Sequence, residues 1–228
     1  MQKFSHGLTA ESIRKESGRA AVKSKVMSDH HSLPVILASA SPRRKELLTQ
    51  AGYQFEVVPP DVDESSFPAG DIRADEYAER LALAKARSVA RRFADRVVIG
   101  ADTVVDFAGE IIGKAADARQ AEQVTRKLFS APHKVITGLA IVRLSDGTQL
   151  VASDTTTVHP RRMTAKQIAE HISSGTWRDK AGAYAIQETG DQFVERIEGS
   201  LTNVMGLPME LLERMLARVR GVQPGSKQ

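Results

Sequence analysis

The stretch Val97 to Val105, Val-Val-Ile-Gly-Ala-Asp-Thr-Val-Val, carries a carboxylate, Asp102, and a hydroxyl, Thr103, inside an apolar, β-branched run. Such a run reads as a strand buried on both faces. A carboxylate placed there is costly unless it is paired, binds a metal or sits where the strand opens into a cleft. Gly100 favours the opening, because a glycine inside a strand often marks a bulge or a close approach of a ligand to the backbone. Two readings stand on this stretch alone: a structural carboxylate held by backbone N–H groups at a strand end, or one that does chemistry.

A second group of residues is suited to anions. Ser41-Pro42-Arg43-Arg44 follows an apolar run and opens a helical pattern. Ser41 is placed as the N-cap and Pro42 at the first helical position, so free N–H groups and the positive end of the helix dipole converge. The arginines add forked donors that match phosphate oxygens. Asp61, Asp63 and Glu64 place three carboxylates within four residues. They are either a solvated acidic loop or, through Asp63 and Glu64, ligands for Mg²⁺, which prefers oxygen donors and keeps waters. Lys85 sits among small apolar residues and reads either as a lysine reaching out of a packed face or as a snorkelling surface lysine. With Lys114 and the amide of Gln187, these groups describe a polyphosphate bound with a divalent metal. No Gly-x-x-x-x-Gly-Lys-Ser/Thr loop, Gly-x-Gly-x-x-Gly or Gly-x-Ser-x-Gly motif occurs, and there is no cysteine. Water is therefore left as the nucleophile.

The elements that must position these groups alternate between strand and helix. Strands are expected at Leu33–Ala38, Tyr53–Pro59, Val97–Val105, Gly109–Ile112, His133–Leu144, Gln149–Val158 and Phe193–Ile197, and a polar loop at 177–187 is expected to finish as a strand ending in Gln187. Helices are expected at Lys45–Ala51, Ile72–Phe93 (with Tyr77, Leu81, Ala84, Ser88 and Phe93 as the periodic stripe), Ala118–Leu128 capped by Asp117, Ala165–Ser173 and Pro208–Arg218. Residues 1–32 lack sustained apolar periodicity and read as a disordered basic extension, with Met27 a second candidate start; 33–221 form one domain and 222–228 a flexible tail.

Charge narrows the partners. The formal excess of +4 lies wholly in residues 1–26, which hold six basic and two acidic side chains, while the rest of the chain holds 26 of each. A neutral body with only 5% aromatic residues argues against a stable nucleic-acid partner. No apolar run reaches the roughly 20 residues of a membrane span, and the basic extension lacks the apolar core of a secretory signal, so a cytoplasmic protein is expected.

Ala-Ser-Ala-Ser-Pro-Arg-Arg at 38–44, Gly-Ala-Asp-Thr-Val-Val at 100–105, Gly-Lys at 113–114, Asp-Lys-Ala-Gly-Ala-Tyr-Ala-Ile-Gln at 179–187 and Gly-Leu-Pro at 206–208 together resemble the Maf family of nucleotide pyrophosphatases, from about Val35 to Leu216. The resemblance implies an α/β fold with a mixed sheet and flanking helices, two lobes around a central cleft, related to the inosine triphosphate pyrophosphatases. It implies hydrolysis of a nucleoside triphosphate to the monophosphate and pyrophosphate with Mg²⁺ or Mn²⁺, and a homodimer. Asp102 matches the family's proton acceptor; its carboxylate can act as the base or hold the metal. Arg43, Thr103 and Gln187 match positions tied to substrate choice, and Asp63, Lys85 and Lys114 match polar cleft residues. Ser-Pro-Arg-Arg, Asp-Thr and the Ala-Tyr-Ala-Ile-Gln ending resemble the branch acting on dTTP and UTP rather than the sister branch acting on 7-methyl-GTP. Asp63 stands where glutamate is frequent, and Gly113-Lys114-Ala115 lacks the usual proline. The competing reading is a non-catalytic nucleotide sensor that regulates cell division.

Overall fold

The computed structural model describes residues 8–9, 34–178, 180–184 and 193–221. Its centre is one mixed sheet. In chain order the strands are β1 (Leu8–Thr9), β2 (Val35–Ala38), β3 (Phe55–Val57), β4 (Val98–Phe107), β5 (Glu110–Ile112), β6 (His133–Arg143), β7 (Thr148–Pro160) and β8 (Val194–Glu198). The helices are α1 (Pro42–Gln50), α2 (Ala74–Ala90), α3 (Ala118–Leu128), α4 (Ala165–Ser174), α5 (Leu201–Val204) and α6 (Met209–Val219), with a 3₁₀ turn at Glu64–Ser66. The sheet runs β1-β8-β7-β6-β4-β2-β3, and β5 pairs with β4 as the return arm of a hairpin. Only the β2–β3 and β2–β4 pairings are parallel among the described strands. Leu8–Thr9, inside the segment read as an extension, pair antiparallel with Ile197 and Arg196 of β8. No described helix is long and apolar enough to cross a membrane.

β4 organises the core because its residues alternate between the two faces of the sheet. Ile99, Ala101 and Val105 join the larger core, with Leu47 and Leu48 of α1 and Leu211, Leu212, Met215 and Leu216 of α6. Val98 and Val104 face α2: Val98 packs with Ala82, Ala86 and Val89, Val104 with Ala74 and Ala78. Each large aliphatic side chain so buried contributes about 1.5–3 kcal/mol.

The α2 helix meets the sheet through a stripe different from the expected one. Ala74, Ala78, Ala82, Ala86 and Ala90 recur every fourth residue and are buried, with Leu81, Lys85 and Val89, whereas Tyr77, Ala84, Ser88 and Phe93 are only partly buried. The sheet explains this choice of small residues. A Cβ on Gly100 would stand 2.3 Å from the Ala82 carbonyl oxygen, and one on Gly138 would stand 2.3 Å from the backbone of Ala78. Glycine on the strands and alanine on the helix let the two backbones nearly touch. Of the expected stripe only Leu81 is buried, so the large aromatic side chains Tyr77 and Phe93 do not mark the buried face.

Two element boundaries also depart from expectation. The second strand shrinks to Phe55–Val57, ahead of Pro59-Pro60, which have no N–H to extend the ladder. The central strand runs on to Phe107, so Asp102 lies in its middle and not at its end. By contrast, α3 spans Ala118–Leu128 as expected, with the Asp117 side chain accepting from the Gln120 N–H at 2.8 Å. The 185–187 part of the expected strand, the tail at 222–228 and residues 1–32 other than Leu8–Thr9 lie outside the described residues.

Candidate active site

A cleft opens at Asp102 because β4 loses one neighbour there. β2 pairs with β4 only from Ile36↔Val98 to Ala38↔Gly100 and then turns away into α1, while β6 stays paired across Asp102↔Gly138 and beyond. The freed edge of β4 becomes one wall of a cavity of about 760 Å³. That is ample for a nucleotide-sized ligand. Ser39, Ser41, Arg43, Arg44, Glu64, Lys85, Asp102, Thr103, Lys114, Arg178, Lys180 and Tyr184 supply its chemistry.

Asp102 projects toward α2, where Lys85 waits. The Lys85 Nζ donates to Asp102 Oδ1 at 2.5 Å and pairs with Glu64 Oε1 at 2.7 Å, while Lys85 is only 8% exposed. The snorkelling alternative for Lys85 is therefore replaced by a buried ion pair, and Asp102 is held by this ammonium rather than by backbone N–H groups. Removing one partner of such a pair leaves a buried charge uncompensated and costs several kcal/mol. Burial raises the Glu64 carboxyl, but hydrogen bonding and charge from Lys85, with Lys114 and Arg44 beyond, outweigh that and hold it below its ordinary value.

Thr103 projects to the opposite face. Its Oγ1 accepts from Arg44 Nη2 at 3.1 Å and lies 3.0 Å from the Thr137 hydroxyl, which donates to the Asn203 carbonyl at 2.9 Å. Arg44 also donates from Nε to the Gly206 carbonyl at 2.7 Å, and from Nη1 to the Ala101 carbonyl at 2.9 Å and the Ser39 hydroxyl at 3.3 Å. Arg44 thus clamps α1, β4 and the Gly206 turn together. Burial lowers its pKa, against the opposing charge of Asp102.

Ser41 takes the N-cap position with Pro42 inside the first turn, but its side chain makes no capping bond; its N–H donates to Ser39 Oγ at 3.1 Å. Arg43 and Lys114 line the cavity, and Lys114 is bridged to Ala181. Asp63 is not brought to this lining. Its carboxylate accepts from the Ser65 N–H at 3.0 Å and hydroxyl at 2.6 Å, capping the exposed 3₁₀ turn, and the hydroxyl bond chiefly keeps its pKa below the ordinary value. Gln187 lies outside the described residues.

Arg178 and Lys180 line the cavity although residue spacing had not singled them out. Arg178 stacks 4.8 Å from the Trp177 ring centroid, and the Lys180 Nζ donates to the Thr176 carbonyl. Both belong to the polar loop at 177–184, whose basic residues were the available signal. Among the described residues, six cationic side chains and two carboxylates line the cavity, a balance that attracts a multiply charged anion.

No three His, Asp or Glu side chains cluster as a ready-made metal cage among the described residues. Glu64 and Asp102 nevertheless converge on a single cation, the Lys85 ammonium. Two oxygen donors fit Mg²⁺, which is commonly held by one or two carboxylates with waters and substrate phosphates.

Fold and cleft together define an α/β protein built to take a polyanion beside a buried carboxylate. Residues 34–219 match the Maf family model, described as Maf-like protein, and the chain belongs to that family. It is similar to the dTTP/UTP pyrophosphatase of Citrifermentans bemidjiense, 46% identical over 175 residues that cover 77% of this chain and 90% of that protein. The dTTP/UTP pyrophosphatase of Geotalea uraniireducens is 43% identical over 189 residues, 83% of this chain and 96% of the relative. That of Symbiobacterium thermophilum is 44% identical over 184 residues, 81% and 93% respectively.

Proposed function

We propose that the chain hydrolyses dTTP and UTP to the nucleoside monophosphate and pyrophosphate. The observation that carries this reading is the buried Asp102 carboxylate, ion-paired to Lys85, in a cavity that six cations line among the described residues; the names of the relatives support the substrate class.

The reaction is attack of water on the α-phosphorus, with cleavage of the bond to the oxygen that bridges the α- and β-phosphates. Asp102 takes the proton of the attacking water, and pyrophosphate leaves with the bridging oxygen. Lys85 holds the Asp102 carboxylate in place through its 2.5 Å hydrogen bond in the resting site. Arg43 and Lys114 neutralise the charge that grows on the leaving pyrophosphate. Glu64 and Asp102 would hold a divalent cation, Mg²⁺ or Mn²⁺. Such an ion lowers the pKa of bound water and offsets phosphate charge. Thr103, its hydroxyl oriented by Arg44 and Thr137, works with Arg43 and Gln187 in substrate choice; an amide offers the donor and acceptor that a uracil or thymine edge requires.

The test is pyrophosphate release from dTTP, UTP, CTP, GTP, ATP and 7-methyl-GTP with Mg²⁺ or Mn²⁺, for the wild type and Asp102→Asn. Release from dTTP and UTP that falls by roughly 10²–10⁴-fold in the variant is expected. A preference for 7-methyl-GTP would overturn the substrate assignment, and undiminished release by the variant would overturn the role of Asp102.

A further inference from the structure

The cavity wall formed by residues 180–184 is fastened from behind by two histidines that do not line the cavity. His133, at the start of β6, and Tyr184 are both buried, and His133 Nε2 lies 2.7 Å from the Tyr184 hydroxyl. The tautomer follows from the other nitrogen. Nδ1 faces the Leu128 carbonyl at 3.1 Å and must carry the proton to donate there, so Nε2 accepts and the Tyr184 hydroxyl donates. Burial pulls His133 down to about 4, in keeping with a neutral ring. Phe129 packs edge-on against the Tyr184 ring, with centroids 5.4 Å apart.

The neighbouring backbone is held as tightly. His171 of α4 donates from Nε2 to the Ala183 carbonyl at 2.8 Å, and the Gly182 N–H donates to the Gly113 carbonyl at 3.0 Å. Ala183 sits at φ 59°, in the left-handed region, which costs a residue with a Cβ about 1–2 kcal/mol. A conformation of that kind persists where its surroundings over-determine it, and such sites cluster at ligand clamps. The same segment carries Lys180 and Ala181, the latter bridged to Lys114.

We propose that His133 is a positioning residue: its hydrogen bond to Tyr184 fixes the 180–184 segment, and with it Lys114 and Lys180, as the wall that receives the triphosphate. His133 acts on binding geometry through Tyr184 and does not itself line the cavity. This inference rests on the nucleotide-hydrolysing reading for its ligand and its kinetic readout, and the amide exchange is independent of that reading.

The experiment compares Tyr184→Phe, His133→Phe, their double variant and His133→Gln with the wild type in steady-state hydrolysis of dTTP, together with hydrogen exchange of the Gly182 and Ala183 amides. Tyr184→Phe keeps the ring and removes only the hydroxyl, and His133→Gln keeps an acceptor. The expected result is a roughly tenfold rise in KM with little change in kcat for either Phe variant, a double variant no worse than the poorer single one because both partners are gone together, and recovery to within about threefold in His133→Gln. The two amides exchange about tenfold faster in the Phe variants. Unchanged KM in both single variants, losses that multiply in the double variant, or unchanged amide exchange would overturn the proposal. A wild type that hydrolyses no nucleotide would defeat the functional reading instead, and amide exchange would then decide the role of the pair.

Discussion

Gly100→Ala tests whether the close seating of α2 sets the active site. The added Cβ would lie 2.3 Å from the Ala82 carbonyl oxygen, 2.7 Å from the Ala86 nitrogen and 2.9 Å from the Ala86 Cβ. Two of these neighbours are backbone atoms, so no side chain can swing aside to make room. Restoring contacts near 3.5 Å lifts the helix by roughly 1 Å. Ala82 and Ala86 bracket Lys85, so the lift is delivered where the ammonium reaches Asp102 at 2.5 Å. Overpacking of this kind costs about 1–3 kcal/mol, which for a chain of this size lowers the thermal midpoint by roughly 2–12 °C. The displacement of Lys85 should cut kcat/KM by about 10²-fold. Gly138→Ala meets Ala78 at an equal 2.3 Å and places its new Cβ directly across from Asp102. It should lose similar stability and should lose activity as well. The assays are thermal unfolding by circular dichroism and pyrophosphate release from dTTP. Gly100→Ala with a wild-type midpoint and activity within twofold of wild type would refute the reasoning.

Two further outcomes follow from groups fixed by burial. The unfolded chain protonates His133 near its ordinary 6.5 while the folded chain resists down to about 4, so stability falls as pH drops from 6.5 to 4 and this contribution levels off below 4. The loss amounts to about 3 kcal/mol; urea unfolding of wild type and His133→Gln across that window should show the slope shrinking in the variant, and parallel slopes would contradict it. Arg44→Lys keeps the charge but not the fork that reaches Gly206, Ala101 and Thr103, so about 2–3 kcal/mol of stability should be lost in urea unfolding; an unchanged midpoint would show that the clamp carries no weight.

Local chemistry made much of this architecture legible in the sequence. Asp117 as a helix cap, Ser41-Pro42 at a helix start and the β6–β7 hairpin rest on neighbouring residues, and each stands within a residue or two of its expected place. What escaped depends on contacts distant in sequence. The alanine stripe of α2 is apolar but small, and its burial follows from glycines on two strands that the helix period alone does not locate. Arg44 reads as a phosphate ligand by type and does line the cavity, but the sequence gives no sign that four of its five N–H donors go to Gly206, Ala101, Ser39 and Thr103, a partner set spread over 168 residues, from Ser39 to Gly206. Asp63 and Glu64 are adjacent and chemically alike, but only Glu64 meets Lys85, because Asp63 is turned to cap the 3₁₀ turn. His133 gave no signal beyond an ordinary strand start.

Asp102 and Thr103 are neighbours in the chain that answer to different sides of the sheet. Asp102 leans on Lys85 from α2, Thr103 on Arg44 and Thr137, and among the described residues they share no hydrogen-bonded partner. A change of residue at 103 reshapes the α1 and Gly206 side without repacking α2 behind the carboxylate. Under the proposed roles of Asp102 and Thr103, a substitution at 103 would shift which nucleotide is accepted while leaving the Lys85–Asp102 pair that serves the chemical step in place.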